Sequence, residues 1–176
     1  EALEQLIWRS EMEGKRPLWA PWRVEYIRNL GSPGCFLCGN TEKNPEKPEN
    51  ELILYRGRSC YAMLNRYPYN SGHILVVPYR HVGDLTLLTA DERYELMNLI
   101  CKAEQVLKKS LEPDAFNVGF NLGKAAGAGL AEHLHCHVVP RWNGDTNFLP
   151  VLADVRCLPQ ALSETAELLR EAPEWE

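Results

Sequence analysis

Residues 132–142 read EHLHCHVVPRW and place His133, His135 and His137 at alternate positions. A period of two is the repeat of an extended chain, in which i, i+2 and i+4 share one face at roughly 6–7 Å per step. Leu134, Cys136 and Val138 alternate with them and take the side of a core. The histidines therefore occupy the face that a half-buried strand turns to water or ligand. A lone histidine in a sheet reads as structural. Three in a row, in a chain with five, point to a cleft or a metal.

That strand needs a sheet, and the chain supplies one. ELILYR, CYAMLN and GHILVVP read as short strands separated by turn signals, and FNVGFNL (116–122) and HLHCHVVP (133–140) as two more. TADERYELMNLICKAEQVLKKSL (89–111) is a helix: Thr89 and Glu92 form a capping box, and Leu96, Leu99, Ile100 and Val106 share a stripe. LPQALSETAELLREA predicts a C-terminal helix. Five strands with one long helix between the third and fourth predict an α+β fold with a largely antiparallel sheet. The expected organisation is a helical and aromatic arm over 1–30, a catalytic domain over 31–150 and a helical tail over 151–176. The arm carries Trp19, Trp22 and Tyr26 and is expected to pack on the domain or on a second subunit.

A net charge of −5 argues against a duplex nucleic-acid partner, which needs a basic face. No apolar run reaches the roughly 20 residues of a membrane span, and the polar start lacks a signal-peptide layout. Cys60, Cys101, Cys136 and Cys157 are isolated and only Cys35 and Cys38 are close, so a disulfide framework is not expected and a reducing cytoplasm is.

Metal ligation and nucleophilic catalysis compete for the histidine row. An amidohydrolase barrel needs about 250 residues, more than the 176 here, and no H-E-x-x-H occurs. A catalytic metal on the row alone is thus disfavoured. Cys35 and Cys38 have half of a zinc site's spacing; a redox pair is the rival, but no βαβ context surrounds them. GKAAGAG (123–129) can offer backbone N–H groups to an anion, since small residues allow close approach. It is not a P-loop, because no Ser or Thr follows Lys124.

HLHCHVV resembles the His-φ-His-φ-His-φ-φ signature (φ hydrophobic) of the histidine triad, or HIT, superfamily. AMLNRYPYNSGHILVVPYRH, FNLGKAAGAGLAEHLHCHVVPRW, PLWAPWRVEYI and CFLC extend the likeness over roughly residues 18–150, toward bacterial members that cleave diadenosine tetraphosphate. The resemblance implies a HIT-like fold and a nucleotidyl hydrolase or transferase acting on dinucleoside polyphosphates. His135 would be the nucleophile at the α-phosphorus, giving a nucleotidyl-histidine, with His137 and His73 beside it and phosphate or water as second nucleophile. It also implies Asn65 on the ribose hydroxyls, in preference to the turn-forming role that the nearby Pro also suits, and phosphate contacts from Asn121, Gly127 and Gly129. Trp142 stacks on a base, fills a dimer interface or simply packs. By the same resemblance a structural zinc takes Cys35, Cys38, His81 and His133, and the chain pairs as a homodimer. One departure concerns phosphorylase relatives, which tend to carry a Ser before the triad strand. No Ser or Thr lies between 111 and 145, and Gly129 stands near that place. A nucleoside phosphoramidase and a zinc-stabilised nucleotide sensor with little turnover are the alternatives.

Overall fold

A computed structural model describes residues 35–38, 51–145 and 158–176. The arm expected at 1–30 lies outside the described residues. Five strands, β1 (Ile53–Arg56), β2 (Cys60–Leu64), β3 (Ile74–Pro78), β4 (Ala115–Phe120) and β5 (Cys136–Arg141), form one sheet in the order β1-β2-β3-β5-β4. Every neighbouring pair is antiparallel. The expected α+β fold with one long helix and a C-terminal helix is observed.

Helix α1 (Ala90–Leu111) connects β3 to β4. It starts where the sequence places it: Thr89 Oγ1 accepts the Glu92 N–H and the Glu92 carboxylate accepts the Thr89 N–H. The expected stripe is buried, and Ala103 and Leu107 join it. α1 packs on β2, β3 and β5. Truncating a fully buried member such as Leu107 to Ala would cost about 2–5 kcal/mol in lost contacts and cavity. Helix α2 (Leu162–Arg170) adds Ala166 and Leu169 to the same core. Arg170 Nε donates to the Ile53 carbonyl, and Trp175 stacks on Tyr55 at 5.4 Å. This latches the tail onto β1.

One expectation needs correction. The histidine row is not wholly in a strand: β5 begins at Cys136, so only His137 of the three lies inside it. Pairing of β3 with β5 stops at Val76↔Cys136. Before that point the chain turns to a different partner, and Leu134 N–H donates to the Val82 carbonyl at 2.6 Å. The alternation holds from Leu134 to Val138, with Leu134, Cys136 and Val138 buried and His135 and His137 half-buried, but His133 departs from it and is fully enclosed.

Candidate active site and metal centre

Hydrogen bonds assign a tautomer to each histidine of the row. The ring of His133 donates from Nε2 to the Pro78 carbonyl at 2.8 Å, which leaves Nδ1 with a lone pair. His135 donates from Nδ1 to the His133 carbonyl at 2.8 Å, which leaves the lone pair on Nε2. His73, fully buried just before β3, accepts the Tyr69 backbone N–H on Nδ1 at 3.0 Å. Its Nε2–H therefore points at His137 Nδ1, 2.9 Å away, and the free proton of His137 sits on Nε2. His135 offers a nucleophilic nitrogen and His137 a donor, with ring centroids 5.0 Å apart.

Burial, reinforced by the charge of His135, pushes His137 down to about 4, so it is a neutral donor at pH 7. Asn121, one residue beyond β4, brings its amide to 3.5 Å from His137 Nε2. The β4–β5 register sets this, since Phe120 pairs with Cys136. Asn65 lies against His73: its Nδ2 is 3.3 Å from His73 Nδ1, and its Oδ1 accepts the Tyr67 N–H at 3.0 Å. The turn-forming role left open by the sequence is thus realised.

Gly127 closes a 3-10 turn (Lys124–Ala126) with φ +86°, a left-handed conformation that favours glycine. No heavy atom lies within 4 Å of where a Cβ at Gly123, Gly127 or Gly129 would stand, so the loop borders open space. Trp142 is half-buried beyond the end of β5, where its N–H donates to Asp145. It lies five residue steps from His137, about 17 Å of extended chain.

Behind the row lies a cluster of Cys35, Cys38, His81 and His133, whose ligand atoms all fall within 4.8 Å of one another. His133 Nδ1 is 3.1 Å from Cys35 Sγ and 3.4 Å from Cys38 Sγ, and His81 Nδ1 is 3.2 Å from Cys38 Sγ. A tetrahedral zinc with two thiolates and two imidazoles sets its ligand atoms about 3.3–3.8 Å apart, so this donor set fits such an ion. Burial holds the His133 ring neutral, the form that binds metal, and burial with the adjacent Cys35 pushes the Cys38 thiol up. A divalent cation relieves that second cost. The cysteine turn is pinned by the fully buried Leu37, whose carbonyl accepts the Tyr61 hydroxyl at 2.9 Å. On the other side, Gly83 lets the chain before His133 approach: a Cβ there would stand 2.6 Å from the Ala131 carbonyl.

The site thus gathers His73, His135, His137, Asn65 and Asn121, with four cluster residues beside them. Sequence reasoning missed Tyr69, whose ring lies 4.6 Å from that of His73 and 5.4 Å from that of His137. Its only signal was its place in the short turn between Asn65 and His73. A backbone carbonyl holding the second nitrogen of His135 is expected from the chemistry, but which carbonyls set the tautomers, those of Pro78 and His133, carries no residue-type signal.

A family model for the HIT domain matches residues 45–144. An AP-4-A phosphorylase of Mycobacterium tuberculosis is 46% identical over 164 residues, covering 90% of this chain and 83% of that protein. An asymmetrical bis(5'-nucleosyl)-tetraphosphatase of Schizosaccharomyces pombe is 35% identical over 98 residues, 56% of this chain and 53% of that protein. Among solved structures, a Zn-bound histidine triad family protein from Mycobacterium smegmatis is 32% identical with a TM-score of 0.56, covering 68% of this chain and 81% of that one. With the triad, its sheet and its helix in place, the chain belongs to the HIT family.

Proposed function

We propose that this protein is an enzyme that cleaves dinucleoside polyphosphates, with His135 as nucleophile and inorganic phosphate as second nucleophile. The observation that carries it is the His135 Nδ1–H hydrogen bond to the His133 carbonyl, which in the neutral ring puts the lone pair on Nε2 beside a neutral donor. On diadenosine tetraphosphate, Nε2 attacks the phosphorus of one terminal AMP unit. The bond to the bridging oxygen breaks and ATP leaves with the electron pair. His137 Nε2–H and the amides around Gly127 and Gly129 stabilise the charge on the phosphoryl oxygens, and Asn121 flanks them. Phosphate then attacks the AMP–histidine, giving ADP and restoring His135. Asn65 is assigned to the ribose, and Trp142 to a base or to a subunit contact.

The choice of phosphate over water rests on the likeness to the mycobacterial phosphorylase, which spans most of both chains. Product analysis tests it. Diadenosine tetraphosphate should give ADP and ATP, with ADP formed only when phosphate is present. AMP and ATP at equal rates with and without phosphate would make the enzyme a hydrolase.

Zinc in the Cys35–Cys38–His81–His133 cluster would be structural. Four protein ligands leave no open position for water, and the ion would tie the cysteine turn to the segment carrying His135. The donor set and the Zn-bound relative support it. We further read the chain as an N-terminal arm (1–30), a catalytic domain (31–150) and a tail (151–176) that works as a homodimer in the cytoplasm. Tyr94 and Met97 on α1 and Val118 on edge strand β4 are large apolar side chains about half exposed or more, the kind of surface a second subunit covers. No helix among the described residues is long and apolar enough to cross a membrane.

A further inference from the structure

Tyr69 covers the His73–His137 pair. Its ring is nearly parallel to that of His137, 23° between planes, and tilted 44° to that of His73. The turn that carries it is anchored on both sides. Asn65 N–H donates to the His73 carbonyl at 2.8 Å, and Asn70 Nδ2 donates to the Pro140 carbonyl and to Asp145 Oδ2. Gly72 takes φ +73°, a left-handed conformation that favours glycine, and a Cβ there would stand 2.6 Å from Leu111 Cδ1. The Tyr69 ring is thus held on the imidazoles by one face although 45% of the residue is exposed.

We propose that Tyr69 is a positioning residue that acts through His137: its ring shuts water from the imidazole face and keeps His137 a neutral Nε2–H donor. The role of that donor toward a phosphoryl group rests on the proposed function; the state of the imidazole does not. The hydrogen bonds constrain the same state. A second proton on His137 must go to Nδ1, which already accepts from His73 Nε2. His73 cannot move its proton to Nδ1, because the Tyr69 backbone N–H points there. The groups facing His137 are His73 from the turn before β3, His135 from the segment before β5, Tyr69 itself, and the uncharged amide of Asn121 at 3.5 Å from Nε2. From β4 the register neighbour is Gly119, which brings no charge. Burial is the largest cause of the low His137 pKa, so opening the imidazole face to water raises it toward the ordinary histidine value.

The test is an NMR titration of the His137 ring in the substrate-free protein, wild type beside Tyr69→Phe, Tyr69→Leu and Tyr69→Ala. Wild type and Tyr69→Phe should stay neutral, protonated on Nε2, at about pH 5. Tyr69→Ala should shift the midpoint up by about one unit or more, with Tyr69→Leu between them, and the acid limb of kcat should move by the same interval. A Tyr69→Ala midpoint equal to wild type, or a Tyr69→Phe shift as large as that of Tyr69→Ala, overturns the proposal. Either result leaves the assignment of His135 untouched, because no turnover enters the titration.

Discussion

His133 serves two neighbours at once: its carbonyl oxygen accepts the Nδ1 proton of His135 at 2.8 Å, while its ring nitrogen stands 3.1 Å from Cys35 Sγ. The residue that closes the cysteine cluster therefore also aims the proposed nucleophile. Disturbing the cluster should reach the chemistry through the backbone at 133. Cys35→Ser and Cys38→Ser are expected to lose a metal content of about one zinc per chain, melt at lower temperature and turn over more slowly. Metal analysis beside calorimetry checks this. A parent chain that purifies metal-free and fully stable would count against the zinc.

Two glycines of the same loop should behave differently. Gly127 has φ +86°, so Gly127→Ala should cost about 1 kcal/mol and raise KM as the loop distorts. Gly129 has no left-handed backbone and faces the same open space, so Gly129→Ala should leave the melting temperature unchanged. Chemical denaturation of both variants gives the comparison.

Much of this architecture is legible in the residues. The Thr89–Glu92 box and the stripe beginning at Leu96 are local patterns, and α1 follows them. The alternation of Leu134, Cys136 and Val138 likewise predicts which side is buried. What escapes is non-local. Where β5 starts depends on Leu134 finding the Val82 carbonyl, and the tautomer of His73 on the backbone N–H of Tyr69. Neither leaves a mark in residue type or spacing. The cluster lies between: Cys35 and Cys38 announce themselves, but their meeting with His81 and His133 needs the β3 end and the segment before β5 side by side.

Acid should loosen the start of α1. Glu92 accepts hydrogen bonds from Arg80 first and from Thr89 next, which hold its carboxyl at about 2 against a usual 4.5. A lowered folded value means stability that is complete above the unfolded value and lost as pH falls through the folded one. Wild type should lose this contribution between about pH 4.5 and pH 2, and Glu92→Gln should show a flatter profile there. At neutral pH, Thr89→Ala should cost about 1 kcal/mol. Melting temperatures across that pH window test both.

Assembly can be read from mass. A homodimer of the 20.1 kDa chain should scatter light as about 40 kDa, twice that mass, and Met97→Glu on the exposed face of α1 should push it toward the monomer. A monomer at micromolar concentration with full activity would rule out a functional dimer.

The most direct measurement is to trap the intermediate. The chain is mixed with diadenosine tetraphosphate without phosphate, quenched in alkaline denaturant where phosphorus–nitrogen bonds persist, and weighed intact. A chain heavier by one AMP, with the modification mapped to His135 and missing from His135→Ala, is the expected result. His135→Ala should still bind nucleotide while kcat falls by several orders of magnitude. An unmodified wild-type chain during turnover, or a His135→Ala variant keeping a tenth of wild-type kcat (about 1.4 kcal/mol in barrier), would contradict His135 as the nucleophile.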